Sequence, residues 1–357
     1  MVLTIVTFII VLGVLVFIHE FGHYITAKKS DIMVSEFALG FGPKLISKKV
    51  GETVYSIRAI PLGGFCNMVG EFPADESMPE EEREIYDQAK ENGRLFTQKS
   101  TFKRLAVILM GPIMNFLLAI LIFILAFAIF GVPTSTSEEA ILGEVIPEQP
   151  AAEAGLRAND RILAINDREI DGWEEMSDLI RENADQEIAV RYQRGDEVET
   201  INLMPVQSDD GERGVIGIYP KLVRENVAFS RAISLGVQQT YQVFIMTISG
   251  FAQMFRESSA EDIGGPIMIA SIIGQAARVG ILNVLNWTAI ISINLGIINL
   301  LPFPALDGGR ILFIVIEMIR GKAVDPRKES YVHMIGFAFL MILMLFIIYN
   351  DLMRTFF

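Results

Sequence analysis

Two histidines and a glutamate, whose types and spacing could do chemistry, lie in the segment FIHEFGHY, residues 17–24. His19, Glu20 and His23 follow the pattern HExxH, which on a helix places both imidazoles on one face. Two imidazoles so placed can bind one zinc ion, and the glutamate beside them can act as a general base. The alternative interpretation is a polar helix end near a membrane surface.

The motif ends a run that is apolar enough to cross a membrane. Residues 2–18 carry no charged side chain, and the run continues to Ala27, which is longer than the roughly 20 residues that a bilayer requires. Ionisable groups inside such a run are costly and need a partner, which favours a metal site. The run lacks a basic start and a small-residue cleavage site, so we do not interpret it as a signal peptide.

A third protein ligand is expected, because catalytic zinc usually binds three protein ligands and one water. The candidate is Asp307, in the stretch NLLPFPALDGG, residues 299–309. Pro302 and Pro304 interrupt a helix there, and irregular backbone at membrane depth is tolerated only where protein buries it or it lines a cavity. A kinked helix with an aspartate near its end is the alternative. His333 is interpreted as an interfacial residue at the start of the last span.

Composition predicts a polytopic α-helical membrane protein, since the chain is 51% hydrophobic with a mean hydropathy of +0.41. The net charge of −13 argues against nucleic acid as a partner, and Cys66 is the only cysteine, so no intrachain disulfide is possible. A further uncharged stretch, 232–255, carries four glutamines and is predicted to lie on the membrane surface. Four transmembrane helices are predicted at about 2–27, 105–131, 286–316 and 331–350.

Basic residues near the spans predict their direction. Lys28 and Lys29 follow the first span, and four basic residues crowd the connection between the last two. Positive residues stay on the cytoplasmic side, so the N-terminus and the segment 132–285 are predicted to lie outside. With four spans, the first and third both run inward, and His19 and Asp307 reach the same depth toward the cytoplasmic side.

Taken together, HEFGH in a first span, NLLPFPALDGG in a late span and a module between them resemble the site-2 proteases of the RseP/RasP type, which are intramembrane zinc metalloproteases. The resemblance covers nearly the whole chain. It implies that His19, His23 and Asp307 are zinc ligands, that Glu20 is the catalytic base and that Asn299 holds the substrate backbone. GPIMNF (111–116) matches the family's second span, and IGGPIMIAS (263–271) matches the segment before the third.

A membrane-reentrant β-hairpin is predicted at about 54–71, where VYSIRAIPLGGFCNMVGE resembles the substrate-holding hairpin of the family. VYSIRAI alternates and is rich in β-formers, and Pro61 with Gly63 and Gly64 is predicted to turn the chain. A strand edge there could pair with a substrate by β-addition; the alternative is an ordinary amphipathic hairpin. The preceding FALGFGPKL (37–45), with Gly40 and Gly42, resembles the glycine motif of the family.

One extracytoplasmic α/β PDZ-like domain is predicted at 132–210, because residues 147–180 resemble bacterial PDZ sequences. AAEAGL predicts a short helix, NDRILAIN a strand and WEEMSDLI an amphipathic helix, and EIAVRYQRG and TINLMP predict further strands. There is room for only one such domain, which could bind a chain end or act as a steric gate. The remaining parts are an N-terminal membrane part, 1–131, membrane-surface amphipathic helices, 211–285, and a C-terminal membrane part, 286–357.

The resemblance implies regulated intramembrane proteolysis in a bacterial cytoplasmic (inner) membrane, with zinc as the cofactor. Its substrates are then single-span membrane proteins that another protease has already cut outside, such as anti-sigma factors or signal-peptide remnants. One rival is a catalytically silent zinc-binding protein that binds transmembrane segments, although retention of Glu20 argues against it. A second rival is a transporter, but the sequence shows no inverted repeat. The lipid bilayer is a further expected partner, and the sequence predicts no oligomeric state.

Overall fold

The computed structural model describes residues 2–72, 74, 78–147, 149–208, 213–257 and 265–356. It contains two compact units, Met1–Ala126 with Ser230–Phe357, and Phe127–Phe229. Ile263 and Gly264 of the segment IGGPIMIAS lie outside the described residues. The helices are α1 (Val2–Lys29), α2 (Glu80–Glu91), α3 (Thr101–Phe130), α4 (Pro150–Glu153), α5 (Trp173–Glu182), α6 (Phe229–Glu257), α7 (Pro266–Val279), α8 (Ile281–Leu300), α9 (Asp307–Arg320) and α10 (Pro326–Phe356).

Four helices in the described part of the chain are long and apolar enough to cross a membrane. They are α1, α3, α8 and residues Pro326–Met353 of α10, which agrees with the four predicted spans. The predicted range 286–316 contains two helices, because α8 ends at Leu300 and α9 begins at Asp307. Pro302 and Pro304 lie in the break, where neither can donate a backbone hydrogen bond.

Helix α6 is not one of these four, and the predicted position of 232–255 on the membrane surface stays a prediction. The helix contacts the second half of α3 at two points. The rings of Phe116 and Phe244 lie 5.9 Å apart, and a β-carbon on Gly236 would meet Ile124 at 2.6 Å. Since these contacts are eight residues apart on both helices and run in opposite order, α3 and α6 are antiparallel neighbours.

The predicted hairpin at 54–71 differs from the sheet that forms. Strand β1 (Val34–Val50) pairs with β2 (Thr53–Met68), and the turn between them lies at Gly51–Glu52. The prediction that Pro61 and Gly63–Gly64 make the hairpin turn is therefore wrong, because these residues lie inside β2. Gly63 has a φ of 102°, and the register shifts along both strands, so the glycine bends a strand and does not close a turn.

Each long strand contains a segment that pairs with neighbours on both of its sides. Ala38 is a partner of Ser56 and also of Phe65, and the same double pairing holds along residues 36–39. The segment 36–39 therefore lies between 54–57 and 64–67, and 54–57 in turn pairs with 46–49. Residues 64–67 form an outer segment of the sheet, next to α1, because a β-carbon on Gly64 would contact Val16 at 2.8 Å.

A buried apolar cluster joins α1, this sheet, α3 and α9 in the first unit. It includes Ala27, Phe37, Cys66, Val107 and Ile314, each no more than 7% exposed. Because the elements share one cluster, the apolar packing fixes the sheet against the helices that carry the candidate site.

The second unit is an α/β body with its own core, built around Leu142, Met176, Ile188 and Val190. Its helices α4 and α5 and its strands β5, β7 and β8 lie where the sequence predicts them. The predicted range 132–210 stops short of β11, which pairs with β4 and extends this unit to Phe229. The strands are β3 (Val132–Thr136), β4 (Leu142–Val145), β5 (Arg161–Ile165), β6 (Arg168–Glu169), β7 (Ile188–Arg194), β8 (Glu197–Leu203), β9 (Val206–Gln207), β10 (Gly214–Val215), β11 (Ile218–Pro220) and β12 (Leu222–Glu225).

Candidate metal centre

The two histidines of HExxH lie on the face of α1 that packs against α3. Both are buried, with 8% of His19 and 5% of His23 exposed. Close approach of the helices depends on two glycines. A β-carbon on Gly22 would lie 2.3 Å from the carbonyl oxygen of Met110, and one on Gly111 would lie 3.0 Å from Cε1 of His19. Each glycine therefore leaves the space that its neighbour occupies.

Hydrogen bonds from α3 orient both rings. His23 Nδ1–H donates to the carbonyl oxygen of Val107 at 2.9 Å, so in the neutral ring Nε2 is the free acceptor. The amide of Asn115 lies 3.1 Å from His19 Nδ1, and Asn115 Oδ1 has no hydrogen-bond partner among the described residues. Rotation of that amide would let Oδ1 accept from His19 Nδ1–H, the arrangement that also leaves Nε2 of His19 free to bind a metal.

Asp307 begins α9 and reaches the same point. Its Oδ2 lies 3.2 Å from Nε2 of His19 and 3.4 Å from Nε2 of His23. The chain can fold back here because Gly308 and Gly309 follow the aspartate. A β-carbon on Gly308 would lie 2.1 Å from the carbonyl oxygen of Leu301, so any side chain would prevent this approach.

The three donor atoms form a nearly equilateral triangle, because the two Nε2 atoms lie 3.3 Å apart. In a tetrahedral zinc site with bonds of about 2.0 Å, ligand atoms are separated by roughly 3.3 Å. Asp307 Oδ2 is buried and makes no hydrogen bond to a described residue, which is costly for a carboxylate unless a cation binds there. Among the described residues, His19, His23 and Asp307 form the cluster whose ligand atoms lie close enough together to hold one metal ion. The donor set and its spacing fit zinc.

Glu20 is the neighbour of His19 in α1 and is partly buried. A β-carbon on Gly64 would lie 3.4 Å from its Cγ and 2.7 Å from the carbonyl oxygen of Ala38. The outer sheet segment 64–67 therefore passes directly beside the glutamate. This contact brings the predicted base and the predicted substrate-holding strand together, which the sequence could not establish.

The other predicted site residues lie in two places. Asn299 is in the last turn of α8 and is partly buried. Gly40 and Gly42 lie in β1 with φ angles of 88° and 83°, and a β-carbon on Gly40 would meet the carbonyl oxygen of Ile60 at 2.6 Å. Gly63 faces the ring of Phe41, which a β-carbon would meet at 2.5 Å. The glycines thus serve the shape of the sheet.

His333, interpreted as an interfacial residue, is buried inside the protein with 7% exposed, and its depth relative to the membrane surface stays a prediction. Its Nδ1 accepts a hydrogen bond of 2.9 Å from the backbone N–H of Ala305, in the break before Asp307. Ala305 has a φ of 77°, a conformation that costs a non-glycine residue of order 1–3 kcal/mol. No sequence pattern relates a histidine to a backbone amide 28 positions earlier.

A cavity of about 140 Å³ lies next to α9 and is lined by both charged and apolar side chains, from α3, α9, α10 and the connections near them. Arg310, one turn after Asp307, forms an ion pair with Glu71 at its wall. Arg104 and Glu317, which also line the cavity, join α3 to α9 at 2.5 Å. The cavity is large enough for several water molecules and has the polar partners that hold them.

A network of charges ties the sheet to the end of α1. Glu52, in the β1–β2 turn, accepts two hydrogen bonds from Arg94, at 2.6 and 2.7 Å, and pairs with Lys28. The Arg94 guanidinium, with help from Lys28, lowers the pKa of the Glu52 carboxyl to about 2, although partial burial opposes this shift. The ion pairs therefore fix the turn that sets the register of the sheet.

The sequence as a whole matches the model of the family described as peptidase family M50, over residues 7–343. It is 36% identical to the zinc metalloprotease RasP of Oceanobacillus iheyensis, with 99% of each chain covered. It is 34% identical to the regulator of sigma-W protease RasP of Bacillus subtilis, again with 99% of each covered. The match to the probable protease eep of Enterococcus faecalis is 31% identical and covers 99% of this chain and 100% of that one.

Among solved structures, the PDZ domain of the SdrC-like protein of Listeria monocytogenes is similar to part of the chain. The match is 25% identical and covers 24% of this chain and 92% of that domain, with a TM-score of 0.22.

Proposed function

The chain belongs to peptidase family M50 as a zinc metalloprotease of the RseP/RasP type of site-2 protease, and from this premise we propose that it cuts single-span membrane proteins inside the bilayer. Its substrates are proteins already shortened outside by another protease, such as anti-sigma factors or signal-peptide remnants. The observation that carries the proposal is the triangle of His19 Nε2, His23 Nε2 and Asp307 Oδ2 inside a bundle of membrane-length helices.

We assign the zinc to these three atoms. When bound there, zinc polarises the scissile carbonyl and lowers the pKa of a bound water to about 7. Val107 O and Asn115 contact Nδ1 of the two imidazoles, which would leave each Nε2 available to the ion. Gly111 keeps the space for both rings.

Glu20 acts as the general base. It takes the proton from the attacking water and delivers it to the leaving amine. The Cγ of Glu20 lies beside Gly64, so a peptide held along the segment 64–67 would present its carbonyl groups near both the base and the ligands. We assign the entry of water to the cytoplasmic side, through the cavity beside α9, whose wall includes Arg310, one turn after Asp307.

Substrate is held as an added strand. The outer segment 64–67 pairs with 36–39 on one side, and its other edge offers backbone groups for β-addition. A transmembrane helix must unwind before a peptide bond is open to attack, and edge pairing stabilises the extended form. Gly40, Gly42, Gly63 and Gly64 permit the bent sheet that brings this edge to Glu20, and Asn299 binds the substrate backbone from α8.

The second unit is assigned to the extracytoplasmic side as a single PDZ-like domain. We favour its role as a gate that limits which substrates enter the bundle. A bulky ectodomain would collide with such a gate, whereas a trimmed one would pass. The alternative role is a receptor for the new chain end of a trimmed substrate.

The deciding experiment compares wild-type protein with Glu20→Gln in proteoliposomes that contain a tagged single-span substrate. The variant should retain zinc, because the ligands remain, and should lose cleavage, because the base is gone. Glu82→Gln, on the exposed face of α2, is the matched control and should cleave normally. Undiminished cleavage by Glu20→Gln would contradict the assignment of Glu20 as the general base. A wild-type protein that binds zinc without cutting would favour the catalytically silent alternative.

A further inference from the structure

The break between α8 and α9 is held from one side by α10. Three residues of α10, spaced at three-residue intervals along one side of the helix, contact three successive residues of the break. His333 accepts the N–H of Ala305, Gly336 lies against Pro304, and the rings of Phe339 and Phe303 are 5.7 Å apart. The last of the contacted residues, Ala305, is two positions before Asp307.

Gly336 shows how closely the two segments approach. A β-carbon there would lie 2.4 Å from Cβ of Pro304 and 2.6 Å from its carbonyl oxygen. Helix α10 can therefore bring His333 within hydrogen-bond distance of Ala305 only because residue 336 has no side chain.

The ring of His333 is itself fixed. Its centroid lies 5.6 Å from that of Phe313 on α9, and 93% of the residue is shielded from solvent. Since Nδ1 accepts the Ala305 N–H, the neutral ring carries its proton on Nε2. This atom is buried, lies 4.0 Å from Oε1 of Glu329 and has no hydrogen-bond partner in the described part of the chain. The histidine is thus oriented by one acceptor bond and one ring contact.

We propose that His333 is a positioning residue for the third zinc ligand, a proposal that rests on the zinc-binding role assigned to Asp307. By accepting the Ala305 N–H, it holds Ala305 in the left-handed region, and this backbone turn aims the Asp307 carboxylate at His19 and His23.

The two sides of Asp307 are fixed by different means. On its C-terminal side, Gly308 and Gly309 pack α9 against the backbone of residues 300–303. On its N-terminal side, the hydrogen bond from Ala305 N–H to His333 is the one, among the described residues, that joins the break to another helix. Loss of the acceptor leaves the Ala305 N–H unpaired and frees its φ to relax, so the carboxylate moves away from the imidazoles.

A matched pair of substitutions separates the acceptor from simple packing. Asn and Leu side chains have the same number of heavy atoms and the same branching at Cγ, but Asn places an oxygen close to the position of Nδ1, whereas Leu offers no acceptor. We would purify the full-length wild type, His333→Leu and His333→Asn in detergent, measure zinc affinity by competition with a chromophoric chelator, and record the absorption spectrum of the cobalt(II)-substituted protein.

His333→Leu should weaken zinc binding about 10–100-fold, the usual effect of removing a partner that orients a metal ligand, and should change the cobalt spectrum. His333→Asn should retain zinc affinity within about threefold of wild type. Wild-type affinity and spectrum in the Leu variant would overturn the proposal. Equal weakening in both variants would overturn it as well, because the acceptor would then be irrelevant.

If His333→Leu does not fold, the same measurements on Gly336→Ala decide the question, with Gly250→Ala as control. Gly250 lies in α6 with nothing within 4 Å of an added β-carbon. Weaker zinc binding in Gly336→Ala alone supports the positioning role of His333, and equal zinc binding in both variants overturns it. Failure of the proposed function itself looks different, because Asp307→Ala would then bind zinc as tightly as wild type.

Discussion

Gly111 of α3 lies so close to His23 of α1 that a β-carbon on Gly111 would come within 2.3 Å of the imidazole Nε2. That nitrogen is the atom assigned to the metal, so the glycine acts directly on the position of a ligand. The contact also explains why the segment GPIMNF, in the second span, belongs to the candidate site although Asn115 is its only polar side chain.

Gly111→Ala should displace the His23 ring and lower zinc affinity at least about 10-fold, since a ligand would leave its place in the triangle. Zinc content after dialysis against a weak chelator measures the effect. Gly13→Ala in α1 is the matched control, because nothing lies within 4 Å of its added β-carbon. Full zinc content in Gly111→Ala would contradict the assigned ligand geometry.

Asp307→Ala should lower zinc content and proteolysis together, because it removes one of three ligands and leaves the other two without their third partner. Asp87→Ala, an exposed change in α2, should alter neither. Metal analysis of both variants next to substrate cleavage gives the answer. Zinc content that is unchanged in Asp307→Ala would show that the third ligand is another residue.

Glu52→Gln should destabilise the protein by about 1 kcal/mol near pH 7, the scale of a partly exposed ion pair. The folded pKa of Glu52 is about 2 and its ordinary value is 4.5, so the stabilisation is complete above about 4.5 and is lost as the pH falls toward 2. Thermal unfolding in detergent should therefore show a difference from wild type at about pH 7 that shrinks by about pH 3. A difference that stays constant with pH would mean that the charge is not responsible.

The gate assignment predicts the result of removing the second unit. Ser137 N–H donates to the carbonyl oxygen of Lys221 at 2.7 Å, so residues 138–220 can be replaced by a two-glycine link that closes the β3–β12 ribbon. This variant should bind zinc and should cut an untrimmed substrate that the wild type leaves intact. A receptor role predicts the reverse, namely loss of cleavage of the trimmed substrate with no gain on the untrimmed one.

Much of the site could be predicted because each part carries its own local signal. HExxH needs one helix, and Asp307 stands out because two prolines and two glycines surround it in an apolar run. The span boundaries follow from hydropathy, which is a property of each segment alone. These features required no knowledge of how distant segments pair.

What could not be predicted depends on distant contacts. Pro61 and Gly63–Gly64 have the composition of a tight turn. The segment 36–39, however, lies between the two halves of β2, so these residues connect two halves that do not pair with each other. His333 lies near the start of an apolar helix and resembles an interfacial residue. The role proposed for it depends on the backbone N–H of Ala305, in the connection between α8 and α9. Neither contact leaves a periodic pattern in the sequence.

The order of segments in the sheet has a consequence for synthesis of the protein. The segment 36–39 leaves the ribosome before either of its neighbours, and the neighbour beside Glu20 ends about thirty residues later, at Phe65–Asn67. No strand partner for 36–39 exists until residues 54–57 have been made, and the edge beside the glutamate cannot form until residue 67 has followed. The first span, with its HExxH motif complete, therefore leaves the ribosome before the segment 64–67 that we propose as the peptide-holding edge.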